Sequence, residues 1–368
     1  MPAETTGGPG ATPAAETNAA TAAGAAADLA DVGRATPELT KRGGTDPRDD
    51  LARLREAVAM VSTVVVGQHD MVERLMVALL ARGHCLLEGV PGVAKTLAAR
   101  SFATVVAGSF ARLQFTPDLV PSDIVGTRIY RPSSEAFDTE LGPVFVNVVL
   151  ADEINRAPAK VQAAMLELMA EHQVSLGGRS YPLPDPFIVI ATQNPLESEG
   201  VYPLPEAQRD RFLLQVQVPL PRAHEEAEIL RRMSVDPPRA QPVLTPEDVL
   251  RLRRAADDVY VHPLVADYVV RLVMATREPG QYGLPDLVGV IDAGASPRAT
   301  LGLLASARAL ALLRGRDHVL PEDVQALAVD IIAHRLLLGF DAIADGISPR
   351  TVVEAVLATV PAPVPVSG

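Results

Sequence analysis

The fold of this chain is decided by one segment, Gly89-Val90-Pro91-Gly92-Val93-Ala94-Lys95-Thr96. The segment follows a short apolar run and precedes a pattern typical of a helix, which is the context that a phosphate-binding loop needs. In such a loop the backbone N–H groups point inward, and the N-terminus of the following helix adds partial positive charge. The sequence therefore predicts that all the residues of this segment hold the phosphates of a nucleotide.

Two side chains of this loop carry its chemistry. Lys95 would reach the β- and γ-phosphates, and Thr96 would place its hydroxyl on a Mg²⁺ ion. The strict pattern has glycine where this chain has Ala94, and a side chain there is costly if φ is positive. Of the 33 lysines and arginines in the chain, only Lys41, Lys95 and Lys160 are lysines. The loop therefore keeps a compact ammonium although nearly all the other cationic side chains are arginine.

A pair of carboxylates follows the longest strand-like run. Residues 144–151 are predicted to form a buried strand, and Asp152 and Glu153 come directly after it. In open α/β sheets ligands bind at the carboxyl ends of the strands, so both carboxylates are expected beside the phosphates. Asp152 is the candidate Mg²⁺ ligand together with Thr96, and Glu153 is the candidate base that polarises the attacking water.

The chain divides into four parts. Residues 1–48 are rich in Ala, Pro, Gly and Thr without periodicity, which predicts a disordered tail. Between 49 and 222 short strand-like runs alternate with helical segments, which indicates an α/β core with a largely parallel sheet. Residues 223–360 are predicted to be a small helical domain, and 361–368 a second tail. Three helix-start signals support the helical domain: Thr245-Pro246-Glu247-Asp248, Ser296-Pro297 and Leu320-Pro321-Glu322-Asp323.

Individual elements of the core can be predicted from periodicity. Apolar residues recur at helical spacing over 51–61 and 69–81, and residues 174–181 are predicted to be a β-hairpin turning at Gly177-Gly178. Residues 122–142 and 173–186, the second of which contains the hairpin, are expected to be insertions around the core sheet. Further strands are predicted at 84–87, 187–191 and 212–218.

The composition argues against several classes of function. A net charge of −12 and an aromatic content of 4% argue against binding nucleic acid through bulk charge or base stacking. Cys85 is the single cysteine, so neither a disulfide framework within the chain nor a cysteine-rich zinc site can form. Because we find no signal-peptide pattern and no apolar run of ~18 residues, the sequence predicts a cytoplasmic protein without a membrane span.

Taken together, these motifs resemble those of the MoxR family of AAA+ ATPases, in the helix-2-insert clade, over roughly residues 50–350. Residues 89–96 are similar to the family's Walker A loop, in which alanine precedes lysine. Leu150 to Pro158 resembles the Walker B segment, and Gln114 to Asp123 resembles another family hallmark. The resemblance implies a P-loop NTPase fold, with a three-layer AAA+ α/β core, a C-terminal helical lid domain, and ATP and Mg²⁺ bound between them.

The resemblance also assigns three further site residues. Asn194, in a segment similar to sensor 1, would orient the attacking water, and an amide can donate to phosphate while accepting from water. Arg211 would be an arginine finger that reaches the γ-phosphate of a neighbouring subunit, with Arg209 as the alternative. Arg298, in a segment similar to sensor 2, would report the nucleotide to the lid. The segments concerned are 191–195, 206–212 and 294–299.

The activity that the resemblance implies is Mg²⁺-dependent ATP hydrolysis by a homo-oligomeric ring, expected to be a hexamer. Such a ring would act as a chaperone-like motor that matures or assembles client proteins, including partners with a von Willebrand factor A-type domain. One alternative is a nucleic-acid or restriction-type motor of the same clade, which would need a basic, aromatic-bearing pore loop. A second is a chelatase-like subunit that drives metal insertion into a tetrapyrrole. A third is a non-catalytic nucleotide-gated scaffold, against which the presence of Glu153 argues.

Overall fold

The central sheet of the protein has five parallel strands, in a computed structural model that describes residues 47–133, 135–196 and 200–364. Numbered along the chain with the hairpin strands included, they are β1 (Cys85–Glu88), β2 (Phe110–Gln114), β5 (Val148–Asp152), β8 (Ile188–Gln193) and β9 (Leu214–Gln217). Their order across the sheet is β2-β5-β8-β1-β9, so β2 and β9 are the two edge strands.

The sheet lies between two hydrophobic cores. Leu150 and Ile190 belong to one core, and their neighbours Val149 and Ala191 belong to the other. Successive side chains of a strand point to opposite faces, so a strand that is covered on both faces must be apolar throughout. This is the three-layer arrangement expected from the sequence. The helices of the layered core are α1 (Pro47–Val64), α2 (His69–Leu80), α3 (Lys95–Val105), α4 (Pro121–Val125), α5 (Ala159–Glu171) and α6 (Glu206–Arg209).

Two β-hairpins project from the core in the segments predicted to be insertions. The first pairs β3 (Gly126–Arg131) with β4 (Ala136–Leu141), and the second pairs β6 (Gln173–Leu176) with β7 (Arg179–Pro182). The second hairpin confirms the prediction over 174–181. Both glycines of its turn have positive φ, a conformation that glycine adopts without steric cost.

The lid contains seven α-helices within the described residues, and each predicted helix start is confirmed. At the first of these starts Thr245 and Asp248 cap each other, because each side chain accepts a hydrogen bond from the other's backbone N–H. The lid helices are α7 (Ala223–Met233), α8 (Pro246–Asp257), α9 (Pro263–Arg277), α10 (Pro297–Leu313), α11 (Pro321–Ile332), α12 (Phe340–Ala344) and α13 (Pro349–Thr359). The lid also holds a short antiparallel pair that was not predicted, β10 (Ile291–Ala293) with β11 (Leu337–Leu338).

The strand predicted over residues 144–151 is shorter than expected and begins at Val148. Asn147 explains where it starts, because its amide group joins the beginnings of three strands. Its Oδ1 accepts from the backbone N–H of Ser109 at 3.0 Å, and its Nδ2 donates to the carbonyl of Pro186 at 2.8 Å. Because this polar side chain is held by hydrogen bonds at residue 147, the apolar strand begins only at the next residue, Val148.

Most of the predicted N-terminal tail lies outside the described residues. Only residues 47 and 48 are described, and they begin α1; residues 365–368 of the second predicted tail also lie outside. The boundary predicted at residue 222 stays a prediction. Over the ranges that the structure describes, none of the helices has the length and apolar character needed to cross a membrane.

A histidine is buried at the amino end of the sheet. His84 precedes β1, and its Nδ1 accepts the backbone N–H of Val189 at 3.0 Å while its Nε2 lies 3.1 Å from the carbonyl of Met169. This pairing fixes a neutral ring with the proton on Nε2. Burial disfavours the charged ring more than the Met169 contact favours it, and lowers the pKa of His84 from 6.5 to about 4.

Acid is therefore expected to destabilise the fold through His84. Below its ordinary pKa the ring takes up a proton in the unfolded chain but stays neutral in the folded protein, so stability falls as the pH drops from 6.5 towards 4. Between about pH 7.5 and about pH 5 the free energy of unfolding should fall by about 2 kcal/mol more in the wild type than in His84→Gln. Denaturant titrations at both pH values measure this, with exposed His224→Gln as the control. An equal pH dependence in wild type and His84→Gln would contradict the assignment.

Candidate nucleotide-binding site

The predicted phosphate-binding loop connects β1 to α3, and α3 begins at Lys95. Gly92 and Ala94 both have positive φ, 86° and 65°. For Ala94 this conformation costs roughly 1–2 kcal/mol, and strain of this kind is concentrated at functional sites. A side chain on Gly89 would place its Cβ 2.5 Å from the carbonyl oxygen of Val218. The first residue of the loop is therefore restricted to glycine by the neighbouring chain.

The ammonium of Lys95 lies inside the loop. It donates to the carbonyl of Gly89, and lies 3.3 Å from the carbonyl of Val90 and 3.5 Å from that of Gln193. Partial burial lowers the pKa of Lys95, although the nearby carboxylates oppose this shift. A cation surrounded by carbonyl oxygens and inward-pointing backbone groups forms a site that suits phosphate.

Asp152 and Thr96 meet as the sequence predicts. Thr96 Oγ1 donates to Asp152 Oδ2 at 3.3 Å, and Thr192 Oγ1 donates to the other carboxylate oxygen at 2.6 Å. No group of three or more His, Cys, Asp or Glu side chains with metal-binding geometry occurs among residues 47–133, 135–196 and 200–364. One hydroxyl and one carboxylate nevertheless fit Mg²⁺, which binds oxygen ligands and relies on water and substrate phosphates for the rest.

Glu153 follows Asp152 and turns out of the strand with a φ of 58°. Gln114 Nε2 donates to Glu153 Oε2 at 2.7 Å, and Arg156 Nε lies 3.3 Å from the same oxygen. The backbone N–H of Glu153 donates to the hydroxyl of Thr192, which also binds Asp152. One threonine therefore sets the relative position of the two carboxylates.

Two residues of the edge strand β2 join this site, and neither was predicted. Arg112 and Gln114 are two residues apart, so they lie on the same face of the strand, opposite β5. Arg112 donates to Asp152, and Gln114 donates to Glu153. The sequence signal was a polar side chain, Arg112, two residues before Gln114, which is the first residue of the segment 114–123.

Asn194 directly follows β8 and so lies at the same carboxyl end of the sheet. Strand β8 lies between β1, which leads into the loop, and β5, which carries Asp152. Its Oδ1 accepts the backbone N–H of Leu196 at 3.2 Å. The structure therefore brings Lys95, Thr96, Asp152 and Glu153 together and places Asn194 beside them.

Arg211 and Arg298 lie at the opposite end of the sheet, beside the amino end of β1. The backbone N–H of Leu213 donates to the carbonyl of His84, at the amino end of β1. Because β1 has four residues, the amino end of this strand is about 13 Å from the loop at its carboxyl end. The two arginines line one cavity of about 380 Å³, together with Asp210.

Asp210 connects the lid to the segment of the candidate finger. Arg335 Nε donates to its carboxylate at 2.9 Å, Ser296 Oγ at 2.9 Å, and Arg298 Nη1 at 3.3 Å. Burial lowers the pKa of Arg335 to about 10, while Asp210 opposes this shift. Three lid side chains thus converge on one carboxylate next to Arg211.

Arg209 faces elsewhere. It is partly buried and lines a different cavity of about 330 Å³, with Glu88 from the core and Arg350 from the lid. Arg211 is exposed, although it is only two residues further along the chain. The two candidate fingers therefore do not share a surface.

Comparison with known proteins agrees with this architecture. The family model "ATPase family associated with various cellular activities (AAA)" matches residues 84–214, and an AAA lid domain model matches residues 290–356. The chain is 59% identical over 310 residues to Chaperone MoxR1 of Mycobacterium tuberculosis, covering 84% of this chain and 82% of that protein. The chain belongs to the MoxR family of AAA+ ATPases.

Other MoxR proteins and a solved structure extend this similarity. Protein MoxR of Methylorubrum extorquens is 35% identical over 341 residues, covering 87% of this chain and 97% of that protein. The crystal structure of a putative ATPase from Cytophaga hutchinsonii superimposes with a TM-score of 0.81 at 44% identity, covering 86% of this chain and 97% of that one. The predicted fold, an AAA+ α/β core with a C-terminal helical lid, is confirmed.

Proposed function

We propose that this MoxR-family protein hydrolyses ATP in a Mg²⁺-dependent reaction and assembles into a ring, expected to be hexameric, that acts as a chaperone-like motor on client proteins. The observation that carries the proposal is that Lys95, Thr96, Asp152 and Glu153 lie together at the carboxyl ends of the strands. Such a set can hold phosphates, hold a metal ion and activate water.

Within one subunit, Lys95 exchanges its carbonyl partners for the oxygens of the β- and γ-phosphates. Thr96 and Asp152 would hold Mg²⁺, which when bound neutralises charge on the phosphate oxygens. Glu153 accepts a proton from the attacking water and Asn194 orients that water. Gln114 keeps Glu153 in place through its hydrogen bond.

Between subunits, Arg211 acts on the nucleotide of a neighbour. Its exposed side chain and its distance from its own loop support a role in trans, and Arg298 shares its cavity. The geometry therefore favours a position for Arg298 at the subunit interface, where it would report a neighbour's nucleotide to the lid through Asp210. Motion of the lid against the core would pass force to the client.

The client is proposed to be protein, and a partner with a von Willebrand factor A-type domain is the first to test. A relative named as a chaperone supports this class. The alternative of a nucleic-acid motor required a basic, aromatic-bearing loop. The β3–β4 hairpin exposes Tyr130 and Phe137, but Arg131 is paired with Asp138 at 2.9 Å, and acidic Glu140 follows. The hairpin is therefore not basic, which favours a protein client over nucleic acid. We also propose that the protein acts in the cytoplasm.

A concentration series tests the proposed function. The specific ATPase activity of the wild type should rise with protein concentration, because each site needs an arginine from a neighbour, and it should disappear when Mg²⁺ is chelated. The measurement is the rate of phosphate release across a dilution series with Mg²⁺ and with EDTA. A specific activity that stays constant on dilution would contradict the ring, and activity in EDTA would contradict the metal site.

A further inference from the structure

Arg112 occupies the carboxylate oxygen that the candidate metal site needs. Its Nε and Nη2 donate to Asp152 Oδ2 at 2.9 and 2.6 Å, and the same oxygen accepts from Thr96 at 3.3 Å. The other oxygen of Asp152 is taken by Thr192 at 2.6 Å. The guanidinium therefore binds the one oxygen that faces the hydroxyl expected to share the metal ion.

The two partners differ in their access to solvent. The side chain of Asp152 is 10% exposed, and a carboxylate buried to this degree needs a compensating positive charge. Arg112 is 50% exposed and lies on the edge strand β2, beyond which no further strand pairs in the described part of the chain. The cation can therefore leave the contact by rotating into solvent, whereas the carboxylate cannot.

We propose that Arg112 is a positioning residue that stands in for the metal ion on Asp152 in the nucleotide-free protein and leaves this carboxylate when Mg²⁺ and nucleotide bind. The inference rests on the proposed function, because it takes Asp152 and Thr96 as the metal site. Two cations cannot share Oδ2 without repulsion, so Mg²⁺ must compete with Arg112 for it. The exchange keeps Asp152 neutralised in both states and sets the Mg²⁺ concentration that the site requires.

The test is the Mg²⁺ dependence of binding, not of turnover. A slowly hydrolysed fluorescent ATP analogue is titrated with Mg²⁺ against the wild type, Arg112→Gln, Arg112→Lys and the control Arg131→Gln. Arg131 suits as a control because it is an exposed arginine paired with Asp138 outside the site. Arg112→Gln should reach half-saturation at about fivefold lower Mg²⁺, the effect of removing one half-exposed ion pair, with Arg112→Lys in between.

A second readout separates competition from simple structural support. Without Mg²⁺ and nucleotide, Arg112→Gln should unfold at a lower temperature than the wild type, and saturation with both ligands should narrow this difference. An unchanged or higher Mg²⁺ requirement in Arg112→Gln would overturn the inference while leaving the proposed function intact. Nucleotide binding by the wild type that is independent of Mg²⁺ would also overturn the inference, whereas the proposed function fails only if phosphate release continues in EDTA.

Discussion

Replacing Glu153 by glutamine is expected to lower the rate of ATP hydrolysis by about 10²–10⁴-fold, the usual contribution of a positioned general base. Glutamine keeps the size of the side chain and can still contact Gln114, but it cannot accept a proton from water. Affinity for ATP should stay within about twofold, because Lys95 and the loop are untouched.

The measurement pairs steady-state phosphate release with equilibrium binding of a fluorescent ATP analogue. Glu167→Gln is the matched control, since Glu167 is an exposed carboxylate on the nearby helix α5. The control should hydrolyse ATP at the wild-type rate. Turnover by Glu153→Gln that equals the control would show that Glu153 is not the base, and weak binding by Glu153→Gln would point to a damaged fold instead.

Replacing Arg211 by alanine is expected to lower the turnover rate by about 10³–10⁵-fold, the range known for arginine fingers. Arg211 is exposed and lies near the amino end of β1, a strand about 13 Å long whose other end leads into the phosphate-binding loop, so the loss should leave nucleotide binding by the same subunit unchanged. This separates it from Lys95, whose removal should weaken binding itself.

Arg209→Ala is the informative comparison. Arg209 has the same chemistry two residues away but lines a different cavity, beside Glu88 and Arg350. Steady-state rates of both variants, at a protein concentration where the wild type is fully assembled, decide between them. A larger loss in Arg209→Ala than in Arg211→Ala would mean that the finger is misassigned.

Much of the candidate phosphate and metal site could be predicted from the sequence, because its residues follow their strands directly. Lys95 and Thr96 begin the helix after β1, and Asp152 and Glu153 stand at the end of β5. In a parallel sheet the carboxyl ends of all strands lie at the same end, whatever the order of the strands, so the strand order did not need to be known. The helix starts of the lid were predictable for a similar reason, since a cap acts within three or four residues.

The contribution of β2 could not be predicted in the same way. Residues 110–114 lie on the edge of the sheet and are only partly buried, so they lack the apolar run that marked the other strands. The partners of Arg112 and Gln114 are about forty residues away in the chain, and only the pairing of β2 with β5 joins them. Long-range pairing of this kind leaves no local pattern.

The position of Arg298 was not predictable for a different reason. Its motif was visible in the sequence, but where it lies depends on how the lid packs on the core. That packing is fixed by contacts such as those from Ser296 and Arg335 to Asp210, which join residues far apart in the chain. The sequence therefore indicated a candidate functional arginine without showing at which end of the sheet it lies.

The most direct test of the ring with a trans-acting arginine is to mix two inactive variants. Arg211→Ala keeps an intact Glu153, and Glu153→Gln keeps an intact Arg211, so a mixed ring rebuilds complete sites where the two meet in the right order. The account predicts that an equimolar mixture recovers about a quarter of the wild-type rate, as random assembly of a cyclic oligomer requires. A mixture that co-assembles in a pull-down yet stays as inactive as either variant alone would contradict it.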